Sequence, residues 1–139
     1  MLTALDISTS GLAAQRIRMV THANNLANIS TTRNERGEAE PYQRRFVVFK
    51  TDDSVGTDGA SGVKVSLVGT ENKEPKWRPD PDHPDAVQSG PNAGNVAYPN
   101  ISMMHEMTDA MEAARAYEAN LGAIEISKNL AQQTLRILA

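Results

Sequence analysis

The sequence has 139 residues, no cysteine and a formal net charge of −3. That length suits one domain, or a helical stem with a modest appendage. The lack of cysteine excludes disulfides and thiolate metal sites, and the slightly acidic balance gives no electrostatic reason to expect nucleic-acid binding. No run approaches eighteen apolar residues, so we expect no direct membrane span.

A first helix is predicted over the N-terminal residues to about position 28. Its apolar stripe recurs every seven residues, at Leu5, Leu12, Met19 and Leu26. The interior is weak, because Gly11 alone costs about 1 kcal/mol of helix stability relative to alanine. We therefore expect this helix to form mainly by packing against another element. The N-terminus lacks a basic stretch followed by an apolar one, so no cleavable secretory signal is predicted.

Three asparagines, Asn24, Asn25 and Asn28, cluster where this helix is predicted to end. One interpretation is a frayed helix terminus, because asparagine tolerates left-handed backbone geometry. The other is that these amides form hydrogen bonds across a helix–helix contact and fix its register, as a buried asparagine does in coiled coils. The sequence leaves both interpretations open.

The middle of the chain, residues 33–99, is predicted to be β-containing and irregular. All seven prolines and seven of the nine glycines fall within it, which excludes long helices there. Residues 42–50 and 63–68 are rich in β-branched and aromatic side chains and predict two strands joined by a long loop. Residues 75–84 contain too much proline for a sheet interior and are expected to be extended. Residues 90–94 predict a turn.

The candidate metal ligands are four residues of one proline-rich stretch: Asp80, Asp82, His83 and Asp85. Their spacing matches neither an EF-hand nor a zinc pattern, so we favour a solvated turn whose acids face water. The neighbours His105 and Glu106 could form an acid–base pair, but adjacent helix residues point apart and a polar face is the better interpretation. His22 has no acid close to it in sequence.

Four arginines could form a basic patch: Arg33, Arg36, Arg44 and Arg45. Acidic residues alternate with them, which favours a mixed solvated surface or a protein-contact surface. The sequence contains no glycine-rich phosphate loop, nucleophile elbow or paired-histidine helix. We therefore predict no catalytic residue, cofactor, metal site or small-molecule substrate, and we expect a protein that is not an enzyme.

The longest predicted element is a C-terminal helix from Met103 to Leu138. Apolar or small residues recur in heptads over five repeats, a pattern typical of coiled coils. One seam position holds Met103, Ala110, Tyr117, Ile124, Ala131 and Leu138. The other holds Met107, Ala114, Leu121, Lys128 and Leu135. A helix of this length, roughly 55 Å, needs a partner along its seam, and the N-terminal helix is the best candidate.

The predicted fold is mainly α, with two terminal helices forming a coiled-coil-like stem beside a small β-containing middle segment. Residues 1–32 and 100–139 would make one discontinuous helical assembly domain. A further set of side chains lies one position beyond the seam and is expected to contact other subunits: Met104, Met111, Leu130 and Ile137. A single two-helix hairpin buries only one stripe, so these residues need another neighbour; the alternative is that the middle segment folds over them.

Several motifs resemble one bacterial family. Near the N-terminus they are Ser10-Gly11-Leu12, Ala23-Asn24-Asn25-Leu26-Ala27-Asn28 and Thr31-Thr32. Further along they are Pro41-Tyr42, His83-Pro84-Asp85-Ala86, Tyr98-Pro99-Asn100 and Ala114-Arg115-Ala116-Tyr117-Glu118-Ala119-Asn120. The first group is similar to the N-terminal motif of flagellar rod, hook and filament-type axial proteins. The combination resembles the C-type rod proteins of the proximal rod over nearly the whole chain.

This resemblance implies a structural subunit that assembles helically into a hollow drive shaft, transmits torque and encloses the export channel. Its implied partners are other copies of the chain, other flagellar rod proteins, and basal-body ring and export-apparatus proteins. Its implied location is the periplasmic rod of the flagellar basal body, reached by type III export without a cleaved signal peptide. The alternatives from other classes are a soluble coiled-coil adaptor or export chaperone, and a small metal-dependent enzyme.

The residues expected to form the assembly interface come from both helices. They are Leu5, Leu12, Met19, Asn24, Asn25, Leu26, Asn28, Met104, Met107, Met111, Tyr117, Leu121, Ile124 and Leu135. Most are apolar positions of the two heptad stripes, because seam side chains bury apolar area when helices associate. The three asparagines are included for the register that they would impose.

Overall fold

The computed structural model describes residues 2–56 and 59–138, without the side chains of Leu2 and Leu138. The elements in chain order are α1 (Leu2–Ala27), β1 (Arg45–Asp52), β2 (Gly62–Thr70), β3 (Lys76–Pro79), β4 (Asn95–Tyr98) and α2 (Met103–Leu138). The expected mainly α architecture, with two long terminal helices around a small β-containing middle, is confirmed. Within the described part of the chain, neither helix combines the length and apolar character that crossing a bilayer requires.

The two helices pack antiparallel along one side of each other. Asn25 of α1 contacts Glu106 near the start of α2, whereas Gly11 lies against Asn120 further along it. This register places the beginning of α1 opposite about position 129 of α2. The last nine residues of α2, 130–138, therefore extend beyond α1 by about 13 Å. We call this stretch the overhang.

The most deeply buried positions between the helices hold small and polar residues, such as Ala14, Asn25 and Ala113. Of the first predicted series, Ala110, Tyr117, Ile124 and Ala131 are half-buried, as expected for one seam position. Met103 is wrong for this seam, since it is 55% exposed, and the side chain of Leu138 lies outside the described residues. The other predicted series is wrong for pairing within the chain, since Met107, Leu121 and Leu135 are 51%, 44% and 67% exposed. The residues one position earlier take their place in the seam: Glu106, Ala113, Asn120 and Ser127.

Compared with the predicted seam, α2 is thus rotated about its axis by one residue position. The cause is the close approach of the two helices. A Cβ atom added to Gly11 would lie 2.8 Å from Oδ1 of Asn120, closer than real Cβ contacts. Ala14 and Ala113 are also almost completely buried, at 3% and 0% exposure. Helices at this separation have no room for leucine or methionine between them, so the larger side chains turn outwards.

The hairpin of β1 and β2 packs against α1 and confirms the two predicted strands. Its register runs from Arg45 opposite Thr70 to Asp52 opposite Gly62, with an irregularity between Val48 and Phe49. The Ser10 hydroxyl attaches it to the helix, because Oγ accepts a hydrogen bond from the Val63 amide at 3.0 Å. The same hydroxyl donates to the Ile7 carbonyl at 2.7 Å.

A second two-stranded sheet pairs β3 with β4 in the region between the hairpin and α2. Residues 75–84 were expected to be extended and outside a sheet interior, and Lys76–Pro79 is indeed extended, but it also pairs as strand β3, which the sequence did not predict. Both strands of a two-stranded sheet are edges, so Pro79 can occupy one without breaking an interior ladder. The predicted turn at residues 90–94 is confirmed, with Gly90 and Gly94 at φ values of 96° and 78°.

Candidate functional site

The centre of the candidate site is the carboxylate of Glu106, on the first turns of α2. It is 0% exposed and accepts hydrogen bonds from His22 Nδ1 at 2.7 Å, Asn25 Nδ2 at 2.9 Å and Arg44 Nε at 2.5 Å. Because the carboxylate oxygen is the acceptor, the His22 Nδ1 carries the proton. We call these four residues with Tyr42 the polar junction.

Burial alone would raise the pKa of the Glu106 carboxyl. The hydrogen bonds from Asn25, His22 and Arg44, with the positive charge of Arg44, outweigh that effect and hold the pKa below its usual value. A buried carboxylate that keeps its charge requires this full set of donors, since an unpaired one costs several kcal/mol. Glu106 is thus ionised at neutral pH and ties three chain segments together.

Asn25 connects α1 to both the strand and α2. Its Nδ2 donates to Glu106 and to the Arg45 carbonyl at 2.8 Å, and its Oδ1 accepts from the Arg45 amide at 2.9 Å and from the Tyr42 hydroxyl at 3.1 Å. Two donors and two acceptors are the full capacity of an asparagine amide. The predicted hydrogen bond across the helix–helix contact is therefore observed for Asn25, which also pairs with the edge of β1 as a neighbouring strand would. That it fixes the helix register stays a prediction.

Asn24 and Asn28 form hydrogen bonds within the end of α1 and not across the helices, and this terminus is hydrogen-bonded and not frayed. The Asn24 carbonyl accepts hydrogen bonds from the Asn28 amide at 3.1 Å and from Asn28 Nδ2 at 2.9 Å. The Asn28 Oδ1 in turn accepts one from the Thr31 hydroxyl at 3.1 Å. The first two contacts satisfy the Asn24 carbonyl, one of those that a helix terminus can leave without a partner. Any role of Asn24 and Asn28 in assembly stays a prediction.

Arg44 is the cation of the junction, and it does not belong to a surface patch. Besides Glu106, its guanidinium lies 3.4 Å from Glu71 and 3.8 Å from Asp109. Burial works to lower the pKa of Arg44, but its acidic partners, Glu106 foremost, raise it. Arg45 lies over the ring of Tyr42 instead, at 5.8 Å from its centroid. Arg33, Arg44 and Arg45 thus contact different partners and do not form one basic patch.

The four candidate metal ligands of the proline-rich stretch are not grouped closely enough to share one metal ion. They are Asp80, Asp82, His83 and Asp85. The carboxylate of Asp85 is occupied by the Thr32 hydroxyl at 2.7 Å and by Arg33 Nε at 2.6 Å. Its side chain is 6% exposed, so the solvated-turn interpretation is wrong for Asp85. The hydrogen bond from Thr32, with that from Arg33, lowers the pKa of Asp85 despite its burial. Asp85 attaches the segment after α1 to the turn before β4.

Among the residues that the structure describes, the acids and histidines close enough to share a cation are His22, Glu106 and Asp109, with ligand atoms within 4.8 Å of one another. Arg44 already supplies a positive charge at this place. The sequence analysis missed the contact of His22 with Glu106 because 84 positions separate them. One signal in the sequence could have indicated a shared polar partner: His22 and Asn25 are three residues apart and so lie on one side of α1.

The predicted interface residues divide into two groups in the single chain. Leu5, Leu12, Met19, Leu26, Tyr117 and Ile124 are half-buried, whereas Met104, Met107, Met111, Leu121 and Leu135 are exposed. The second-face residues of α2 are also exposed, with Met104 at 73% and Ile137 at 84%. Large apolar side chains left uncovered on one element are typical of a protein–protein contact surface.

Two family models match the chain at its two ends. Residues 5–33 match the model described as "Flagella basal body rod protein". Residues 92–137 match the model described as "Flagellar basal body rod FlgEFG protein C-terminal". The matched ranges contain nearly all of α1 and α2, together with His22, Asn25 and Glu106 of the polar junction.

Curated relatives extend this similarity to the whole chain. The flagellar basal-body rod protein FlgC of Borreliella burgdorferi is 33% identical, covering 99% of this chain and 97% of the relative. FlgC of Salmonella typhimurium is 34% identical with the same coverage. FlgC of Aquifex aeolicus is 37% identical over 94% of this chain and 92% of its own. The chain therefore belongs to the family of FlgC-type flagellar basal-body rod proteins.

Proposed function

We propose that the protein is a structural, non-enzymatic subunit of the proximal rod, joined to its neighbours by the exposed apolar faces of its two helices. The family membership supports the rod, and the observation that carries the interface is the uncovered apolar surface of α2. Leu130, Leu135 and Ile137 of the overhang are 53%, 67% and 84% exposed. In a helical assembly, these side chains would be buried by a neighbouring subunit.

The exposed residues also favour contacts on more than one side. Leu121 continues the stripe of Met107 beside the seam, whereas Met104 and Met111 lie nearly opposite the seam. On α1, Ile17 and Val20 add exposed apolar area. A subunit of a closed dimer needs one contact surface, but a subunit of a tube needs surfaces facing several neighbours. The expected neighbours are copies of this chain and other rod proteins.

The same proposal includes the export route of the subunit, its location and its partner proteins. The subunit would reach the periplasmic part of the basal body by flagellar type III export without a cleaved signal peptide, and it would meet ring and export-apparatus proteins there. Assembled around a channel, it would pass exported chains through the rod and transmit torque along it. A soluble adaptor or export chaperone has no observation in its favour beyond the helix pair itself.

The test compares two substitutions on the overhang. Leu130→Asp places a charge in the apolar surface, whereas Gln132→Asp adds the same charge at an exposed polar position nearly opposite Leu130 around the helix. Because a buried charge without a partner is strongly unfavourable, we expect Leu130→Asp to abolish motility and to be absent from purified basal bodies. Gln132→Asp should swim.

Both variants are first checked for normal cellular levels, so that a lost subunit is not confused with a failed contact. Immunoblots of purified basal bodies and of the cytosol then locate each variant. If the wild-type chain were found only in the cytosol, the adaptor would replace the rod subunit. If Leu130→Asp assembled normally, the overhang would not be part of the interface.

A further inference from the structure

One face of the β1–β2 hairpin carries two exposed apolar side chains followed by two lysines. Val48 lies directly opposite Leu67 in the register, and the two side chains are 41% and 54% exposed. Two positions further along β1, Lys50 lies directly opposite Lys64. Side chains alternate across a strand, so Val48 and Lys50 point to the same side of the hairpin, and each cross-strand partner lies on that side with them. We call these four residues the hairpin face.

The lysine pair is unfavourable in the single chain, because like charges directly opposite each other destabilise a sheet. The Asp52 carboxylate neutralises Lys64, at 3.0 Å between Oδ1 and Nζ. Lys50 is exposed, and no carboxylate of the residues that the structure describes forms an ion pair with it. The hairpin face is therefore suited to a partner that presents an apolar side chain beside a carboxylate.

Helix α2 carries the complementary pattern at Leu121, Glu125 and Lys128. At 100° per residue, these positions lie within about 60° of one another around the helix, and all three side chains are exposed. Among the described residues, neither Glu125 nor Lys128 has an ion-pair partner. Their order is apolar, negative and positive, whereas alternate positions of β1 from Val48 onwards are apolar, positive and negative.

The two patterns also match in length. Leu121 and Glu125 are separated by about 6.0 Å of helix, and the apolar pair and the lysine pair of the hairpin face by about 6.8 Å of strand. With Leu121 on the apolar pair, Glu125 would lie over the lysine pair. Lys128, about 4.5 Å further along α2, would then approach Asp52 at the end of β1.

The two surfaces do not meet within one chain, because the described residues place the hairpin on α1 and give neither of its strands a contact with α2. We propose that the hairpin face of one copy docks on Leu121, Glu125 and Lys128 of a second copy in the assembled rod. This contact rests on the proposed function and names the partner of that surface. Because the two surfaces differ, the contact can continue from copy to copy and need not close a dimer.

The test exchanges charges between the two surfaces of the full-length chain. Lys50→Glu reverses the net charge that Lys50, Lys64 and Asp52 carry together, and Glu125→Lys reverses the charge that faces them. The amount of each single variant in purified basal bodies should fall about fivefold or more. The chain with both substitutions restores opposite charges and should assemble as wild type.

Folding and specificity have their own controls. Lys50→Glu removes the like-charge pair, so it should not lower the free energy of unfolding of the monomer in urea, and a loss of assembly is then not a loss of folding. Glu35→Lys, at an exposed loop position, should not rescue Lys50→Glu. Normal assembly of both single variants, or failure of the double variant to restore assembly, would overturn the contact.

A second readout detects the contact directly. The chain contains no cysteine, so Val48→Cys/Leu121→Cys introduces its only two thiols at positions that stay apolar. A short bismaleimide should cross-link this variant into covalent dimers and larger ladders within purified basal bodies. Val48→Cys with Ala123→Cys, nearly opposite Leu121 around α2 and also exposed, should give none.

The outcomes separate this contact from the rod proposal. If the Val48→Cys/Leu121→Cys chain is present in basal bodies but does not cross-link, the contact is overturned and the proposed function stands. If the wild-type chain is absent from basal bodies, both proposals fail.

Discussion

The two ends of the helix pair have opposite chemistry. At the Glu106 end, charged and polar side chains are buried and their hydrogen-bonding groups are used within the chain. At the overhang, Leu130 and Ile137 are more than half exposed and lie beyond the described start of α1. A protein that functions as a monomer usually buries its apolar groups and exposes its polar ones. The polar junction satisfies its groups within the single chain, whereas the overhang is suited to a neighbour.

The largest effect should come from breaking the polar junction. Glu106→Ala leaves His22, Asn25 and Arg44 without their common acceptor, and removing one partner of a buried ion pair costs about 3–5 kcal/mol. Urea unfolding should show this loss in the free energy of unfolding. The control Glu112→Ala removes an exposed carboxylate 3.7 Å from Arg18 and should cost under about 1 kcal/mol. Similar losses in both variants would contradict the assigned role of Glu106.

Acidification should weaken the same end more gently. The folded-state pKa of Glu106 lies below its unfolded value, so its contribution is fully present above the unfolded pKa, about 4.3. It is lost as the pH falls through the folded pKa. The difference in unfolding free energy between wild type and Glu106→Gln should therefore shrink from pH 7 towards pH 3. A constant difference over that range would show that the Glu106 charge adds nothing.

A smaller effect is expected where the helices touch. Gly11→Ala gains about 1 kcal/mol of helix propensity, but its Cβ would meet Asn120 at 2.8 Å, and overpacking costs about 1–3 kcal/mol. We expect a net loss of about 1 kcal/mol in urea unfolding, recovered when Asn120→Ala is added. Gly122→Ala, with no atom within 4 Å of the new Cβ, should stabilise the chain. A stabilising Gly11→Ala would mean that the helices are not in close contact.

The smallest effect on folding should come from the surface left for neighbours. Leu121 is 44% exposed, so Leu121→Asp should change the unfolding free energy of the monomer by no more than about 0.5 kcal/mol. The same substitution should abolish motility, because it places a charge in the proposed contact between subunits. Swimming plates and urea unfolding of the purified chain check the two halves of this prediction. A strain that swims normally would remove Leu121 from the interface.

The heptad pattern predicted both helices and their pairing, because apolar periodicity reports which residues avoid water. It could not predict which side of α2 faces α1, since the stripes for folding and for assembly lie side by side on one helix. The rotation towards Glu106 and Asn120 depends on Gly11, whose role becomes visible only when the helices are brought together. Local sequence likewise could not find the partner of His22.

The β strands were predicted where residue type alone decides, in the hairpin of β1 and β2. The second sheet was missed because proline content argues against sheet interiors, and β3 is an edge. Asp85 was misjudged for a related reason. Its acceptors are filled by Thr32 and Arg33, more than fifty positions earlier, and nothing in the intervening residues reports that contact.

Ser10 and Gly11 are consecutive in the chain, yet they hold two different parts of the molecule. Ser10 attaches the hairpin at Val63, and Gly11 lies directly against Asn120 of α2. A force applied to the hairpin would therefore enter α1 and pass into α2 within a single helical turn, with no flexible linker along the way. For a subunit of a rotating shaft, this adjacency would make the joint between its hairpin and its helices stiff against twisting.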